Sequence, residues 1–369
     1  MKKSLLAVAA MGAFASVAQA QSSVTVYGIL DVGFQGRTKT VNNIKTNSTQ
    51  FNGDGAESTS RLGFKGTEDL GGGVKAFFVT EFQLYPTDRA LSGDTNGGLF
   101  NRQTNVGLSK TGLGQFAVGT QYTPLHLAVG RNDPGKQNNM VGDVIYTPNA
   151  ATGNDTTSTS YTVRQNNALT AQTDRMAGFV VSGMYTNKNT SSNNSSNDNN
   201  QGYGIGINYV WNKLNVDLNA QSFKNETAVR GVNTPATLAA ATNLKDDQQY
   251  AGASYDFGIL TAYAQYVNRK ASAAYNSNLY AKRSAQSIGV RSFITPKVAA
   301  WASLGNGSFK TFGTSSPTSN FNGFQLGSDY ILSKRTNLYA IYGKTQTSSN
   351  SLNASANSTS YGLGVRHTF

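Results

Sequence analysis

Strand-like segments of about ten residues recur along the whole chain, and the connections between them alternate between short and long. Each segment sets apolar side chains against polar ones with a period of two, which is typical of β-strands with one apolar face. The pattern predicts sixteen strands, at residues 23–35, 57–67, 73–84, 99–109, 114–122, 159–168, 175–186, 202–211, 214–224, 248–257, 259–269, 284–294, 297–306, 321–332, 336–346 and 359–369.

The connections between the predicted strands differ in length in a regular order. The short ones fall at 69–72, 110–112, 172–173, 212–213, 257–258, 295–296 and 333–335. The long, polar ones cover 36–56, 85–98, 123–158, 187–201, 225–247, 270–283, 307–320 and 347–358. If successive strands are antiparallel, every long loop lies on one side of the sheet and both chain ends lie on the other. Short periplasmic turns and long extracellular loops are characteristic of outer-membrane β-barrels, whereas a soluble sandwich or propeller has no reason for them.

Strand patterning indicates an apolar outer face and a polar inner one. Residues 214–219 alternate Leu or Val with Asn or Asp, and near the end of the chain Tyr361, Leu363 and Val365 alternate with glycine and arginine. A closed sheet leaves no unpaired backbone group in lipid, and a ring of sixteen strands is too wide for side chains to fill. We therefore predict an all-β fold, a 16-stranded antiparallel transmembrane β-barrel around a water-filled pore.

Composition narrows the chemistry that the chain can perform. It contains no Cys and two His, which excludes disulfides and thiolate metal sites and gives little support to a zinc enzyme or a His-based catalytic triad. The formal net charge is +12, but no basic and aromatic module for nucleic acid is present. We expect no catalytic residue, no cofactor, no metal site and no nucleic-acid partner, and hence no enzyme.

Residues 1–20 have the pattern of an export signal rather than of the fold. A basic start is followed by an apolar run at 5–17 and by an A-x-A cleavage motif at 18–20. The apolar run is too short for a transmembrane helix. We predict a signal peptide at 1–20 and a single barrel domain at 21–369.

Five blocks of sequence are similar to those of a known family. They are residues 23–28 (SVTVYG), 60–71 (SRLGFKGTEDLG), 101–108 (NRQTNVGL), 330–339 (YILSKRTNLY) and 364–369 (GVRHTF). Over its whole length the chain resembles the Gram-negative outer-membrane general-diffusion porins, in particular the β-proteobacterial trimeric type. The resemblance implies a homotrimer in outer-membrane lipid, through which ions and small hydrophilic solutes diffuse passively. It also implies that the barrel-assembly machinery reads the last strand, which ends in Phe369.

The resemblance further implies a constriction inside the pore. In this family the third long loop folds into the barrel, and arginines on the wall face acidic groups on that loop. Here the third loop is 123–158, the longest in the chain. The candidate constriction residues are Arg61, Lys65, Glu81, Arg102 and Arg164 on the wall and Asp133 and Asp143 on the loop. Clustered arginines with few opposing acids predict a pore that favours anions.

Strand alternation gives independent support for only some of these positions. Arg61 and Glu81 fall on the polar faces of their strands, and Arg164 is compatible with such a face. Arg102 alternates in step with the apolar residues Val106 and Leu108, so only the resemblance places its side chain in the lumen, where a β-bulge would reconcile the two.

Two other functions stay open on the sequence alone. A substrate-selective channel would bind a particular anion or sugar in the lumen, and that solute would block its conductance in a saturable way. A barrel of a different class, an adhesin or an enzyme, would have a plugged lumen and no conductance in planar bilayers.

Overall fold

The computed structural model describes residues 23–53, 55–91, 93, 98–147, 160–189, 199–226, 243–312, 318–349 and 355–369. The predicted signal peptide at 1–20 lies outside these ranges. Antiparallel β-sheet dominates the described residues, and no helix among them is long and apolar enough to cross a membrane.

The described strands, in chain order, are β1 (Ser23–Val41), β2 (Ile44–Asn52), β3 (Arg61–Gly71), β4 (Val74–Gln83), β5 (Asn101–Lys110), β6 (Gly114–Tyr122), β7 (Arg164–Thr173), β8 (Phe179–Lys188), β9 (Asn199–Trp211), β10 (Leu214–Glu226), β11 (Asn243–Asp256), β12 (Thr261–Ala273), β13 (Tyr280–Thr295), β14 (Val298–Phe312), β15 (Thr318–Ile331), β16 (Thr336–Ser349) and β17 (Ser355–Thr368). Helix α1 (Pro124–Asn132) lies between β6 and β7. From β3 onward each strand pairs with the next, and β17 pairs with β1, so the sheet is closed.

Strands β2 and β3 share one position in the barrel wall. One edge of β1 pairs with β3 through residues 23–29 and with β2 through residues 33–41. Its other edge pairs with β17 through residues 29–41. The seventeen described segments therefore build a barrel of sixteen antiparallel strands, which confirms the predicted fold class. β2 falls in the predicted loop 36–56 because its mostly polar sequence has no apolar face to mark it as a strand.

The third short turn lies later in the chain than the predicted 172–173. The chain reverses between Met176 and Phe179, whose backbones exchange two hydrogen bonds of 2.9 Å. The two residues between them have φ values of 48° and 87°, which fit a tight primed hairpin turn. The predicted strands 159–168 and 175–186 are shifted from the observed β7 and β8, because the first of these turn residues is an alanine, which does not mark a turn in the sequence.

Several strands extend further towards the long loops than the apolar pattern indicates. β13 and β14 reach Tyr280 and Phe312, beyond the predicted limits of 284–294 and 297–306. Backbone ladder hydrogen bonds do not require apolar side chains, whereas the alternation that predicts a strand ends where the outward side chains become polar. The barrel wall therefore continues past its apolar band.

The barrel interior holds α1 and the loop segment that follows it, residues 133–147. The main buried apolar cluster joins this loop to the wall, and its members include Leu125, Val129, Val144, Ile145, Tyr161, Val163 and Val267. Many other buried side chains are polar, among them glutamines and asparagines of the later strands. The interior is thus a polar lumen with an inserted loop rather than a dry core.

The last residue closes the seam between the first and the last strand. The Gly28 amide donates to the Phe369 carbonyl at 3.1 Å, and the Phe369 amide donates to the Gly28 carbonyl at 3.2 Å. A Cβ atom at Gly28 would lie 2.4 Å from Cζ of the Phe369 ring and 2.6 Å from the Arg61 carbonyl oxygen. The seam therefore requires a residue without a side chain at position 28.

Gly28→Ala should destabilise the closed barrel by about 1–3 kcal/mol, the usual cost of overpacking. We expect a lower urea midpoint for unfolding, measured from the gel mobility of unheated samples. Gly98→Ala is the matched control, because a Cβ at Gly98 has nothing within 4 Å. Equal urea midpoints for the two variants would contradict the role of Gly28 in the seam.

Candidate functional site

Helix α1 begins the third loop, and Thr123 fixes its start. The Thr123 hydroxyl accepts a hydrogen bond from the His126 amide at 3.2 Å and donates one to the Thr162 carbonyl at 2.8 Å. Pro124 occupies the first turn, where its fixed φ suits a helix and its missing N–H costs nothing. The N-cap thus sets the helix direction and also ties it to the segment that leads into β7.

The end of α1 is bound to the barrel wall at β10. The Arg131 guanidinium donates to both carboxylate oxygens of Asp217, with the shortest contact at 2.6 Å. The side-chain amide of Asn132 donates to the same carboxylate at 2.7 Å. Asp217 is fully buried. A buried carboxylate with these partners holds the helix end firmly, because losing one partner would leave an uncompensated buried charge.

Gln325 on β15 binds the loop further along. Its amide oxygen accepts from the Asn138 side chain at 2.9 Å, and its amide nitrogen donates to the carbonyls of Met140 and Val141 at 2.8 and 3.0 Å. A Cβ at Gly343 on β16 would lie 1.7 Å from the Val141 carbonyl oxygen. Close approach of loop and wall therefore depends on a glycine at this point.

Two arginines of β13 complete the attachment of the loop. The Arg283 guanidinium donates to the Val144 carbonyl at 2.8 Å, and its carbon lies 4.4 Å from the centre of the Phe321 ring. Arg291 donates to the Pro134 carbonyl at 2.9 Å. The described part of the third loop is thus held against the wall formed by β10 to β16, and an opening remains on the side of β3 to β7.

Tyr122, the last residue of β6, lies at the centre of a cluster of arginines beside this opening. Its hydroxyl oxygen accepts hydrogen bonds from Arg102 at 2.8 Å and from Arg164 at 3.0 Å. The guanidinium of Arg164 also lies 4.6 Å from the centre of the Tyr122 ring. Hydrogen bonds and ring contact together hold two like charges close to each other.

Glu81 is the carboxylate that balances part of this charge. It accepts a hydrogen bond of 2.7 Å from Nε of Arg102, lies 3.7 Å from a guanidinium nitrogen of Arg61, and accepts a 3.3 Å bond from the Tyr27 hydroxyl. One carboxylate thus contacts two guanidinium groups. Three of the candidate residues, Arg61, Glu81 and Arg102, meet here, and Arg164 joins them through Tyr122.

A β-bulge explains how Arg102 reaches the cluster. Glu81 is opposite Gln103, but the next residue, Phe82, is opposite Asn101, so Arg102 is the extra residue on β5. Its side chain is buried and bonded to Glu81 although Val106, with the same parity, is 62% exposed on the outer face. The bulge therefore resolves the conflict between the parity of Arg102 and an inward side chain.

The opening beside these residues, the arginine cleft, has a volume of about 350 Å³. Its charged lining residues are Glu57, Arg61, Arg102, Lys136, Arg164 and Arg366. Three of these residues, Glu57, Lys136 and Arg366, are not among the candidates that the sequence predicts. Arg366 lies on the polar face of the last strand and could have been included on that basis. Glu57 falls in the predicted strand 57–67, but β3 begins at Arg61, so Glu57 precedes the strand. The position of Lys136 depends on the conformation of the third loop, which strand patterning does not report.

The two charged loop groups of the cleft are partly withdrawn from water. Burial raises the pKa of the Glu57 carboxyl, and the charge of Asp329 acts in the same direction. Glu57 also accepts a hydrogen bond of 2.8 Å from the side chain of Asn337. Burial lowers the pKa of Lys136, and the Arg291 charge adds to that effect.

The structure does not bring Asp133 and Asp143 to the arginines. The Asp133 carboxylate accepts hydrogen bonds from the amides of Gly135 at 2.9 Å and Gln137 at 2.5 Å, and Asp143 accepts one from Ile145 at 2.6 Å. Burial raises the pKa of both carboxyl groups, and the charge of Asp133 raises that of Asp143 further. Both acids therefore stabilise turns inside the loop, as Asp commonly does, and neither lines the cleft.

Lys65 also lies apart from the cleft. It is four residues beyond Arg61 on β3, about 13 Å at the rise of a strand, and its ammonium group lies 5.3 Å from the centre of the Tyr27 ring. Lys65 borders a separate recess towards the short turns, together with Gln103 and Gln115. It shares the polar face with Arg61, as the alternation predicts, but not the cluster.

His126 packs on the loop side of the cleft, with its ring 4.6 Å from that of Tyr122. Burial lowers the pKa of His126 well below 6.5, and the charges of Arg164, Arg102 and Arg61 lower it further. The imidazole is therefore neutral at physiological pH. It fills space and accepts or donates hydrogen bonds, but adds no positive charge to the cleft.

Comparison with known proteins identifies the family. The family model of Gram-negative porins matches residues 7–351. An outer membrane porin protein of Bordetella pertussis is 30% identical over the full length of both chains, and outer membrane porin protein 32 of Delftia acidovorans is 30% identical over 70% of this chain and 67% of its own. In fold, the anion-selective porin from Comamonas acidovorans is similar with a TM-score of 0.74 and 23% identity, covering 95% of this chain and 100% of that one. With its closed barrel, inserted third loop and matching sequence, the chain belongs to the Gram-negative porins and is a passive-diffusion pore of the outer membrane.

Proposed function

We propose that this porin conducts anions in preference to cations, and that Arg61, Arg102 and Arg164 set the preference at a constriction formed with the third loop. The observation that carries the proposal is the charge of the arginine cleft, in which five basic side chains line the opening with Glu57 as the one acidic lining residue among those described. Glu81 contacts the cluster from beside the cleft and neutralises part of its charge.

The absence of Asp133 and Asp143 from the lining of the arginine cleft strengthens the expected anion preference. Wall arginines that faced loop carboxylates would create a transverse field with little net charge. Here Asp133 and Asp143 are used within the loop, and the loop presents Lys136 instead. Fixed positive charge at a narrow point favours anions because it lowers their electrostatic barrier and raises that of cations. The similar fold described as an anion-selective porin supports the same direction.

Bilayer recordings in a salt gradient test the bias. We expect a reversal potential of anionic sign for the unmodified protein. Arg61→Ala should reduce the anion-to-cation permeability ratio about twofold, because one positive charge near the permeation path is removed. It should also raise conductance, since the side chain that narrows the cleft is shortened.

Lys65→Ala is the matched control, because it removes one positive charge from the same strand outside the cleft. Its effect on the permeability ratio should be clearly smaller than that of Arg61→Ala. A cationic reversal potential of the unmodified protein would refute the anion preference, and equal effects of the two variants would refute its location.

We also propose that the third loop, 123–158, stays inside the barrel during conduction. The contact between Asn138 and Gln325 offers a direct test, because their side-chain amides lie 2.9 Å apart and the chain has no Cys. Asn138→Cys combined with Gln325→Cys should be joined by a short thiol-specific cross-linker, with conductance close to that of the unmodified protein.

The pair Asn138→Cys and Gln115→Cys serves as the control for this cross-link. Gln115 lies on β6, on the side of the barrel away from β15. We expect no cross-link in this pair, as detected by mass spectrometry of proteolytic fragments. A cross-linked Asn138–Gln325 pair with abolished conductance would show that the loop conformation seen here blocks the pore.

Four further features are proposed on the basis of the family. The chain acts as a passive channel rather than an enzyme, since the relatives it matches are named as porins. It assembles as a homotrimer, since a protein of similar fold, OmpT of Vibrio cholerae, is described in a trimer form. The signal peptide at 1–20 is removed on export, and the strand that ends at Phe369 is read by the barrel-assembly machinery.

Gel mobility and mass test these assembly features. Unheated protein in SDS should migrate as a trimer and convert to the monomer on boiling. The intact mass should correspond to a chain that starts at Gln21. A monomer under every detergent condition, or an uncleaved amino terminus in the outer-membrane fraction, would contradict the corresponding feature.

A further inference from the structure

Three lysines lie directly opposite one another on neighbouring strands at the long-loop end of the barrel. Lys270 on β12 pairs with Lys282 on β13, which in turn pairs with Lys310 on β14. We refer to these three residues as the lysine row. Like charges directly opposite each other in a sheet are destabilising, so the row calls for an explanation outside ordinary strand stability.

The lysine row points away from the lumen. The neighbouring residues Arg269 and Arg283 are 3% and 8% exposed and bond to groups inside the barrel. Because successive side chains of a strand point to opposite faces, Lys270 and Lys282 face outwards. Lys310 has the parity of Leu304, which is 60% exposed on the outer surface. The row therefore cannot contribute to the arginine cleft.

The protein supplies little negative charge to balance the row. The sequence from Phe257 to Ser328 contains seven basic and no acidic residues, including the loops between these strands. Asp247 is opposite Lys270 across the strand pair, but it forms its 2.9 Å ion pair with Lys245. Among the described residues, no carboxylate forms a salt bridge with Lys282 or Lys310. For Lys282 and Lys310, a compensating anion is therefore expected from outside the chain.

The height of the row on the barrel indicates where that anion resides. Lys282 and Lys310 are about 14 residues from the short turn that joins β13 to β14, which places them about 35 Å above it for strands tilted by about 40°. The apolar band of an outer-membrane barrel is about 25 Å tall. The lysine row therefore lies above the hydrocarbon layer, at the level of the lipid headgroups of the outer leaflet.

An apolar groove lies on the same outer face, directly below the row. Small side chains at Ala251, Ala253 and Ala264 form its floor, and its larger lining residues are Leu218, Tyr266, Ile288, Leu304 and Phe324. Its volume is about 920 Å³. The amide side chains of Gln286, Asn306 and Asn322 also line the groove. Its apolar side chains offer the kind of contact that flexible hydrocarbon can fill.

Aromatic rings border the row on its other side. Tyr280 and Phe312 form the next outward pair towards the loops and stack with ring centroids 5.2 Å apart. The Lys270 ammonium lies 4.6 Å from the centre of the Tyr280 ring. Aromatic residues mark the membrane–water interface, and here they also position one lysine of the row.

We propose that this face binds a phosphorylated lipid with several acyl chains in the outer leaflet, with its phosphates on the lysine row and its acyl chains in the groove. Charge complementarity favours this occupant, because a row of ammonium groups matches phosphate, and the groove lies at the depth of the acyl chains. An inorganic phosphate ion would use the lysines but not the groove. A neutral lipid would use the groove but leave the lysines uncompensated.

The test is a titration of the purified full-length protein, folded in zwitterionic detergent, with diphosphoryl lipid A, with bound lipid counted by native mass spectrometry. The variant K270Q/K282Q/K310Q should bind it at least about tenfold more weakly, because each lysine near an anionic headgroup contributes separately. Binding should also weaken with rising salt. Ala264→Phe, which fills the groove without changing charge, should weaken binding as well.

The matched control is K110Q/K213Q/K297Q, which removes three exposed lysines near the short turns. It should bind diphosphoryl lipid A like the unmodified protein, and both triple variants should keep the unmodified conductance and ion selectivity, which separates this site from the pore. Equal losses in the two triple variants, undiminished binding of dephosphorylated lipid A, or displacement of the lipid by inorganic phosphate would each overturn the proposal.

Discussion

Closure of the sheet through β1 is the constraint on which the rest of the structure depends. In lipid, each backbone N–H and C=O must find a partner within the protein, and β1 meets this demand by pairing with β17 on one edge and with β3 and then β2 on the other. Phe369 completes the seam by bonding to Gly28. Because closure takes up the backbone groups, side chains are free to divide between an apolar exterior and a polar interior. A barrel of this width cannot fill its interior with wall side chains, so the third loop can enter it.

The polar interior is what makes the inserted loop stable and leaves the pore basic. Loop backbone carbonyls buried in a dry core would lack partners, but here Gln325, Arg283 and Arg291 donate to them from the wall. The loop acids meanwhile bond to backbone amides of their own turns. Attachment of the loop thus uses wall donors on one side of the barrel, while Asp133 and Asp143 are engaged within the described part of the loop. The opposite side keeps Arg61, Arg102 and Arg164 with Glu81 as a contacting wall acid, so the fold of the loop leaves the cleft mainly basic.

Strand alternation predicted the barrel and the inward direction of Arg61 and Glu81, because both follow from a period of two that survives in the sequence. The alternation placed the third short turn too early. Ala177 adopts a positive φ in this turn, and an alanine in the sequence does not indicate such a conformation. The alternation was also ambiguous at Arg102, whose direction depends on a bulge that inserts one residue opposite Glu81 and Phe82. The predicted acidic residues of the third loop were placed least accurately, because the positions of Asp133, Asp143 and Lys136 depend on how that loop folds. Glu57 fell in the predicted strand 57–67, whereas β3 begins at Arg61. Alternation of apolar and polar residues indicates which face of a strand a residue occupies. It gives no information on the conformation of a loop, which has no such alternation.

Strands β12 and β13 show that charge on the two faces of the wall follows different rules. Arg269 and Lys270 are adjacent in sequence, as are Lys282 and Arg283, yet each pair is divided between lumen and exterior. The inward members have protein partners. Arg269 forms an ion pair with the Asp246 carboxylate at 2.7 Å, and Arg283 donates a hydrogen bond to the Val144 carbonyl of the loop. The outward members align into a row of like charges without such a carboxylate. If these strand ends only had to be soluble, acidic and basic residues could alternate on neighbouring strands and stabilise the sheet through cross-strand ion pairs. Asp247 is opposite Lys270 but is already paired with Lys245, so the lysines outnumber the carboxylate on this outward face. Such an excess of positive charge makes physical sense where the surrounding lipid supplies negative charge.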